Sequence, residues 1–276
     1  TDTNPVAVCL SNARAAPPPL DAVLRRLRVL ERMCGSGDLP NDVSSGAPPV
    51  ATTGGGKESA AAGTSVAGAV ELEDEFFQLC FHPSTLRQLL ALRQVVQWRS
   101  DPVDCFIAAL TLGCLHGESH KTVNCFSNRM PRTISTKKTY SVTWWRDRGL
   151  TPPARDVFAI LRSMAAYRLA TELPSRTGCV IEDDARSASA RFYELAGRVS
   201  LVVTSPPYLD MTDYQEDQWL RLWFLGGPSV PSRGNADDRH RSAQSYWEFL
   251  SEVWRGLGPL LAYDATLVVR IGGTRV

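Results

Sequence analysis

Hydrophobic positions recur at helical spacing through the first part of the chain and give way to alternating strand and helix patterns towards its C-terminal end. Leu20, Val23, Leu24, Leu27 and Leu30, with Met33 beyond, fall three or four apart after the proline run at 17–19, which predicts a helix with one buried face. Residues 1–33 thus read as a short strand end followed by a helix. A second stripe, Leu86, Leu89, Leu90, Leu92 and Val96, predicts a helix over 84–97. Asp101 before Pro102 is a helix start, an N-cap acid followed by a proline at the first helical position. The helix it opens, 103–115, is apolar almost all round and so belongs to a core. Residues 117–150 lack a clear period and read as loop-rich. Pro152 and Pro153 introduce another helix, with Val157, Ile160, Leu161 and Met164 turned inward.

The rhythm then changes. Residues 179–181 (Cys, Val, Ile) predict a short buried strand ending in acids, followed by a helix around 188–195 and a second strand at 201–204. Helices near 215–224 and 244–257 precede a third strand at 265–271. Strands alternating with helices at this spacing predict an α/β fold with a parallel, doubly wound sheet. Ligands of such sheets bind beyond the C-terminal ends of the strands.

Between the two regimes the composition shifts. Residues 34–70 contain eight glycines, no aromatic residue and few large aliphatics, too little apolar surface to offset the entropy of ordering, and read as a disordered linker. The 276 residues are otherwise 43% hydrophobic and 21% charged, which excludes a mostly disordered chain. The longest apolar stretch, 106–115, is about half of the ~20 residues needed to span a bilayer. Seven cysteines in no paired pattern point to a reducing cytoplasm.

A net charge of +1 hides an asymmetry. Residues 121–170 hold ten Lys or Arg against two acids, Asp147 and Asp156, and carry Tyr140, Trp144 and Trp145 among them. Cations interleaved with aromatics suit a surface that tracks a nucleic-acid backbone, and a solvated basic face over two core tryptophans is the alternative. Arg129, Arg132, Lys137, Lys138, Trp144 and Trp145 are the candidate contacts. Cys114, His116, His120 and Cys125 fit no standard zinc spacing.

Directly after the 201–204 strand comes Ser205-Pro206-Pro207-Tyr208. Two adjacent prolines fix the backbone and remove two donors, leaving their carbonyls as outward acceptors. Ser205 adds an acceptor and Tyr208 a flat aromatic face. Such a set can grip the exocyclic amine of a planar base. Hydrogen bonds accepted from its N–H groups localise the nitrogen lone pair toward an electrophile, which is catalysis by positioning and electrostatics. In a duplex the base must first be flipped out, here onto Tyr208.

With the strand before it, Thr204-Ser205-Pro206-Pro207-Tyr208 resembles the catalytic motif of the AdoMet-dependent DNA amino-methyltransferases, of the cytosine-N4 and adenine-N6 type. A serine in its first position is more usual for cytosine-N4 enzymes. Glu182-Asp183-Asp184-Ala185-Arg186 looks like the family segment whose acid reaches the adenine amine of AdoMet, with Asp184 in that position. Asp2-Thr3-Asn4-Pro5 looks like the strand end whose acid holds the ribose hydroxyls. The resemblance therefore implies Ser205, Pro206, Pro207 and Tyr208 as the catalytic set. It implies Asp2, Asn4, Pro5, Asp184, Ala185 and Thr204 as cofactor contacts, S-adenosyl-L-methionine as methyl donor and DNA as partner, in a bacterial cytoplasm. SNRMPRTISTKK and YLDMTDYQEDQWLRLWFLGG also look like segments of one bacterial subgroup.

The family's glycine-rich AdoMet loop has no counterpart in the sequence; Cys34-Gly35-Ser36-Gly37 echoes it but follows a helix where the loop follows a strand. The resemblance then implies an incomplete Rossmann-like methyltransferase sheet with a large helical insertion, completed by a second polypeptide or an N-terminal segment that carries the loop. The divisions are 1–33, an N-terminal piece of the methyltransferase domain; 34–70, the linker; 71–172, a helical and basic insertion with DNA contacts; and 173–276, the catalytic half. Methylation of an RNA amine and an inactive DNA-binding remnant are the alternatives. Carbon-5 methylation needs a cysteine after a proline, and there is none.

Overall fold

The computed structural model describes residues 2–35, 71–131, 137–171, 177–206, 208, 214–231 and 242–270. Of the linker expected at 34–70, residues 36–70 lie outside this set.

The chain begins with helix α1 (Pro5–Ala15), which hydrophobic spacing alone does not reveal. Its signal is at the start: the Asn4 side chain accepts from the Val6 N–H at 2.9 Å, and Pro5 occupies the first turn, where its missing donor costs nothing. Helix α2 (Leu20–Gly35) buries Val23, Leu27 and Leu30, as its stripe predicts. Helix α3 (Glu75–Cys80) is capped by Asp74, and helix α4 (Pro83–Val95) buries Leu86, Leu89, Leu90 and Leu92. In helix α5 (Pro102–Cys114) Asp101 accepts from the N–H groups of Val103 and Asp104, both at 2.8 Å.

Helix α6 (Lys138–Asp147) corrects the loop-rich reading of 117–150. It has no side-chain cap hydrogen bond and little apolar periodicity; it buries Ser141 and Trp145, and Trp145 packs on Phe76 of α3. Helix α7 (Val157–Arg168) starts at Asp156, whose carboxylate accepts from Phe158 and Ala159.

These helices share one apolar core. Val6 and Cys9 of α1, Leu27 and Leu30 of α2, Ile107 of α5 and Leu161 of α7 belong to it. Ion pairs reinforce the contacts: Arg26 of α2 clamps the fully buried Asp104 of α5 at 2.7 and 2.8 Å, and Arg162 of α7 meets Glu31 of α2 at 2.7 Å. Residues 1–33 thus pack into the same body as the stretch read as an insertion.

The C-terminal part holds helix α8 (Ala188–Arg191), flanked by 3-10 turns at Ala185–Ser187 and Tyr193–Leu195, then strand β1 (Val199–Thr204). Helix α9 (Tyr214–Phe224), helix α10 (Ala243–Leu257) and strand β2 (Leu261–Val269) follow. β1 and β2 pair in parallel, Leu201 opposite Thr266 and Val203 opposite Val268. Parallel pairing across an intervening helical stretch is the α/β arrangement that the alternation predicts.

The doubly wound sheet is reduced, among the described residues, to these two strands. Residues 179–181 do not form a strand. One parallel bridge joins Asp2 to Glu182, with the Asp2 N–H on the Ile181 carbonyl at 3.2 Å and the Asp183 N–H on the Asp2 carbonyl at 3.1 Å. A parallel strand is stabilised by neighbours on its edges and cover on its faces, and one rung supplies neither. Cys179 is accordingly exposed. The β1–β2 pair lacks cover as well: on the face shared by Leu201, Val203 and Val268, the three side chains are 57%, 69% and 49% exposed. No residue of either strand belongs to the helical core.

Candidate functional site

Strand β1 delivers the Ser-Pro-Pro-Tyr segment to its own C-terminal end. The Thr204 carbonyl accepts from the Arg270 N–H at 2.9 Å, just past the pairing of Thr204 with Val269, so the sheet holds the backbone up to the motif. Ser205 is exposed, and its hydroxyl lies 3.3 Å from the Tyr208 hydroxyl. Pro206 is half-buried, and Pro207 lies outside the described residues. Tyr246 of α10 was not anticipated from the sequence: burial, and then the neighbouring Tyr208 phenol, push its hydroxyl above the ordinary tyrosine range. Its signal is the apolar stripe Tyr246, Leu250 and Val253 on α10.

A second group gathers at the Asp2–Glu182 bridge. Asp2 Oδ1 accepts from the Asn4 N–H at 2.8 Å, and Asn4 is occupied as the cap of α1, in which Pro5 is the first residue. Asp184 caps the turn that Ala185 begins and receives Arg186 side-on, Nε to Oδ1 at 3.0 Å and Nη2 to Oδ2 at 2.6 Å. Arg186 also reaches Glu252 of α10 at 2.9 Å, and these partners raise its pKa. Asp183 pairs with Arg191, which holds its carboxyl below the usual carboxylate range. Glu182 pairs with Arg99, in the connection between α4 and α5.

The basic stretch separates into different roles. Trp145 is fully buried and donates from Nε1 to the Arg129 carbonyl at 2.6 Å, so it offers no ring face to a nucleic acid; the spacing of two adjacent tryptophans does not show which one is the core residue. Lys137 pairs with Glu216 at 2.8 Å and approaches Asp217 at 3.6 Å, both in the first turn of α9. Lys138 pairs with Asp74 at 2.5 Å. Arg129 is exposed, and its guanidinium lies over the half-buried Trp144 ring. Arg132 lies outside the described residues. Arg148, which the motif reading did not single out, lies over the same ring. Asn128, in the SNRM segment, is buried and donates to the carbonyls of Leu79 and Leu150.

Among the described residues, no group of three His, Cys, Asp or Glu side chains is arranged to hold a metal, and no helix is long and apolar enough to cross a membrane. Compared with known protein families, with curated proteins and with solved structures, the chain gives no match.

Proposed function

We propose that this chain is the catalytic region of an AdoMet-dependent DNA amino-methyltransferase, acting on cytosine N4 in preference to adenine N6. The observation that carries the reading is the position of the Thr-Ser-Pro-Pro-Tyr segment at the C-terminal end of a parallel strand, with the Ser205 and Tyr208 hydroxyls 3.3 Å apart. That is where ligands of parallel sheets bind. The two prolines between these side chains bring carbonyl acceptors without N–H donors of their own.

In this reading the exocyclic amine of an extruded base donates its hydrogens to Ser205 Oγ and the Pro206 carbonyl, and the ring stacks on Tyr208. Drawing the N–H bonds toward fixed acceptors localises the nitrogen lone pair and orients it for attack. Bound AdoMet supplies the electrophilic methyl group. Two acids at the bridge suit its adenosine half. Asp2 keeps Oδ2 for ribose hydroxyls, while Asp184 reaches the adenine amine once Arg186 yields one oxygen.

The uncovered face of β1 and β2 supports the companion reading, that a second polypeptide or an N-terminal segment completes this sheet and supplies the glycine-rich loop. Calorimetric titration of AdoMet into the chain alone is then expected to show weak binding or none, and to recover when such a segment is supplied. In the completed enzyme, labelled methyl groups are expected on duplex DNA, and Tyr208→Ala is expected to abolish transfer while sparing AdoMet binding. Transfer to structured RNA alone, or unchanged turnover by the variant, overturns the reading.

A further inference from the structure

The cations of the basic stretch differ in how their charge is met. Lys121 pairs with Glu118, Lys137 with Glu216, Lys138 with Asp74, Arg146 with Glu75 and Arg162 with Glu31. Arg155 donates to the Ser119 carbonyl at 3.4 Å, and Arg168 rests on Tyr167. Arg129 and Arg148 are both exposed, and among the described residues neither guanidinium has a carboxylate or carbonyl partner. Instead they converge on one indole, with Arg148 at 4.8 Å and Arg129 at 5.7 Å from the Trp144 ring.

Two like charges on one ring repel, and each cation–π contact returns only about 0.5–1 kcal/mol at an exposed site. The placement is nevertheless fixed. The Arg129 backbone is held on both sides, its carbonyl by Trp145 Nε1 and its N–H by Asn128 Oδ1 at 2.8 Å, and Arg129 forms a bridge with Gly117. Arg148 caps α6, its N–H reaching the Trp145 carbonyl at 3.3 Å. Among the described residues, Asp147 is next in sequence to Arg148, and Glu118, which Lys121 already engages, is held ionised in part by Arg129. Negative charge near the shared ring would offset the repulsion between the two guanidinium groups.

We propose that Arg129, Arg148 and Trp144 form a clamp for the phosphodiester backbone of a nucleic acid. A carboxylate has two coplanar oxygens and saturates one guanidinium fork. A nucleic-acid strand repeats its charge along its length and satisfies two forks at once, with sugar or base beside the indole. Lys137 ties the start of α6 to the first turn of α9, the helix that follows the Ser-Pro-Pro-Tyr segment, so the clamp belongs to the same framework as that segment. It requires no methyl transfer, and it stands or falls apart from the catalytic reading.

The test uses the whole chain without AdoMet, with fluorescently labelled duplex and single-stranded DNA, over a range of salt concentrations. Replacing Arg129→Gln and Arg148→Gln together is expected to weaken binding about tenfold and to lower the salt slope by about two, one for each lost phosphate contact. Arg162→Gln, which removes a cation already paired with Glu31, is expected to leave the slope unchanged. Circular dichroism of the variants confirms that the fold is kept, since both clamp arginines are exposed. Absence of DNA binding by the parent chain, an unchanged slope in the double variant, an equal loss in Arg162→Gln, or competition by polyglutamate as strong as by DNA overturns the proposal.

Discussion

Helix α10 meets the turn at Arg186 through Gly256, where an added Cβ would lie 2.3 Å from the Arg186 carbonyl oxygen. The contact is backbone against backbone, so no flexible side chain can move aside. Around it, Arg186 links Asp184 to Glu252, and the turn is fastened to α10 at two points. The acid expected to reach a cofactor therefore sits on a turn whose position depends on one glycine.

Gly256→Ala is thus expected to destabilise the protein, although alanine favours a helix over glycine by about 1 kcal/mol. Forcing the helix and the turn apart costs about 1–3 kcal/mol, as other overpacked sites do, and that exceeds the propensity gain. Urea denaturation checks the sign. A variant more stable than the parent would mean that α10 and the turn separate freely.

Asp104 is buried against Arg26 and also accepts from the Gln97 N–H at 2.9 Å. Asp104→Asn keeps the shape but leaves Arg26 without its charge partner. Breaking one half of a buried pair costs about 3–5 kcal/mol, and the partial exposure of Arg26 places this case at the lower end. The comparison is Arg162→Gln at the more exposed Arg162–Glu31 pair, where about 0–1 kcal/mol is expected. Equal denaturation midpoints for the two variants would contradict the burial argument.

His116 is buried and, among the described residues, its Nδ1 has no hydrogen-bond partner; desolvation, followed by the charge of Arg221, lowers its pKa to about 3. The unfolded chain takes up this proton near the ordinary value of 6.5, whereas the folded chain refuses it. The contribution of His116 to stability is therefore complete above that value and declines as pH falls toward 3, by at most about 1.4 kcal/mol per pH unit. His116→Gln is expected to flatten the stability profile between pH of about 5 and 6.5, above the range in which carboxylates titrate. An identical slope in the variant would assign the acid sensitivity elsewhere.

The helices of the body were legible because each carries its own local signal: the stripe of Leu86, Leu89 and Leu90, the Asp101–Pro102 start, the Asp156 cap. Helix α6 was not, because its place is fixed by contacts distant in sequence. Trp145 packs on Phe76, and Lys138 meets Asp74. Strands predicted at 201–204 and 265–271 are found, over Val199–Thr204 and Leu261–Val269, but 179–181 has a similar apolar composition and makes a single bridge. Composition marks what a segment can do in a sheet; the number of neighbouring strands decides whether it does so. At the candidate site the motif residues were legible as chemistry. The grip of Arg186 on Asp184 and the burial of Trp145 were not, since both depend on which of several neighbours the fold brings within reach.

The division between a helical core and an uncovered sheet gives the last expectation. Leu27 has no exposed surface and sits in the shared core, so Leu27→Ala is expected to cost about 2–5 kcal/mol through lost burial and the cavity left behind. Val203 lies on the open face of β1, 69% exposed, and Val203→Thr keeps the β-branch that suits a strand while removing little buried surface. Its stability is expected to stay within about 0.5 kcal/mol of the parent, as at most surface positions. Contiguous exposed apolar residues promote association, so the threonine variant is also expected to remain dispersed at higher concentration. Denaturation and light scattering measure the two effects separately. A large loss of stability in Val203→Thr would place this face in a buried contact and remove the ground for further structure covering it.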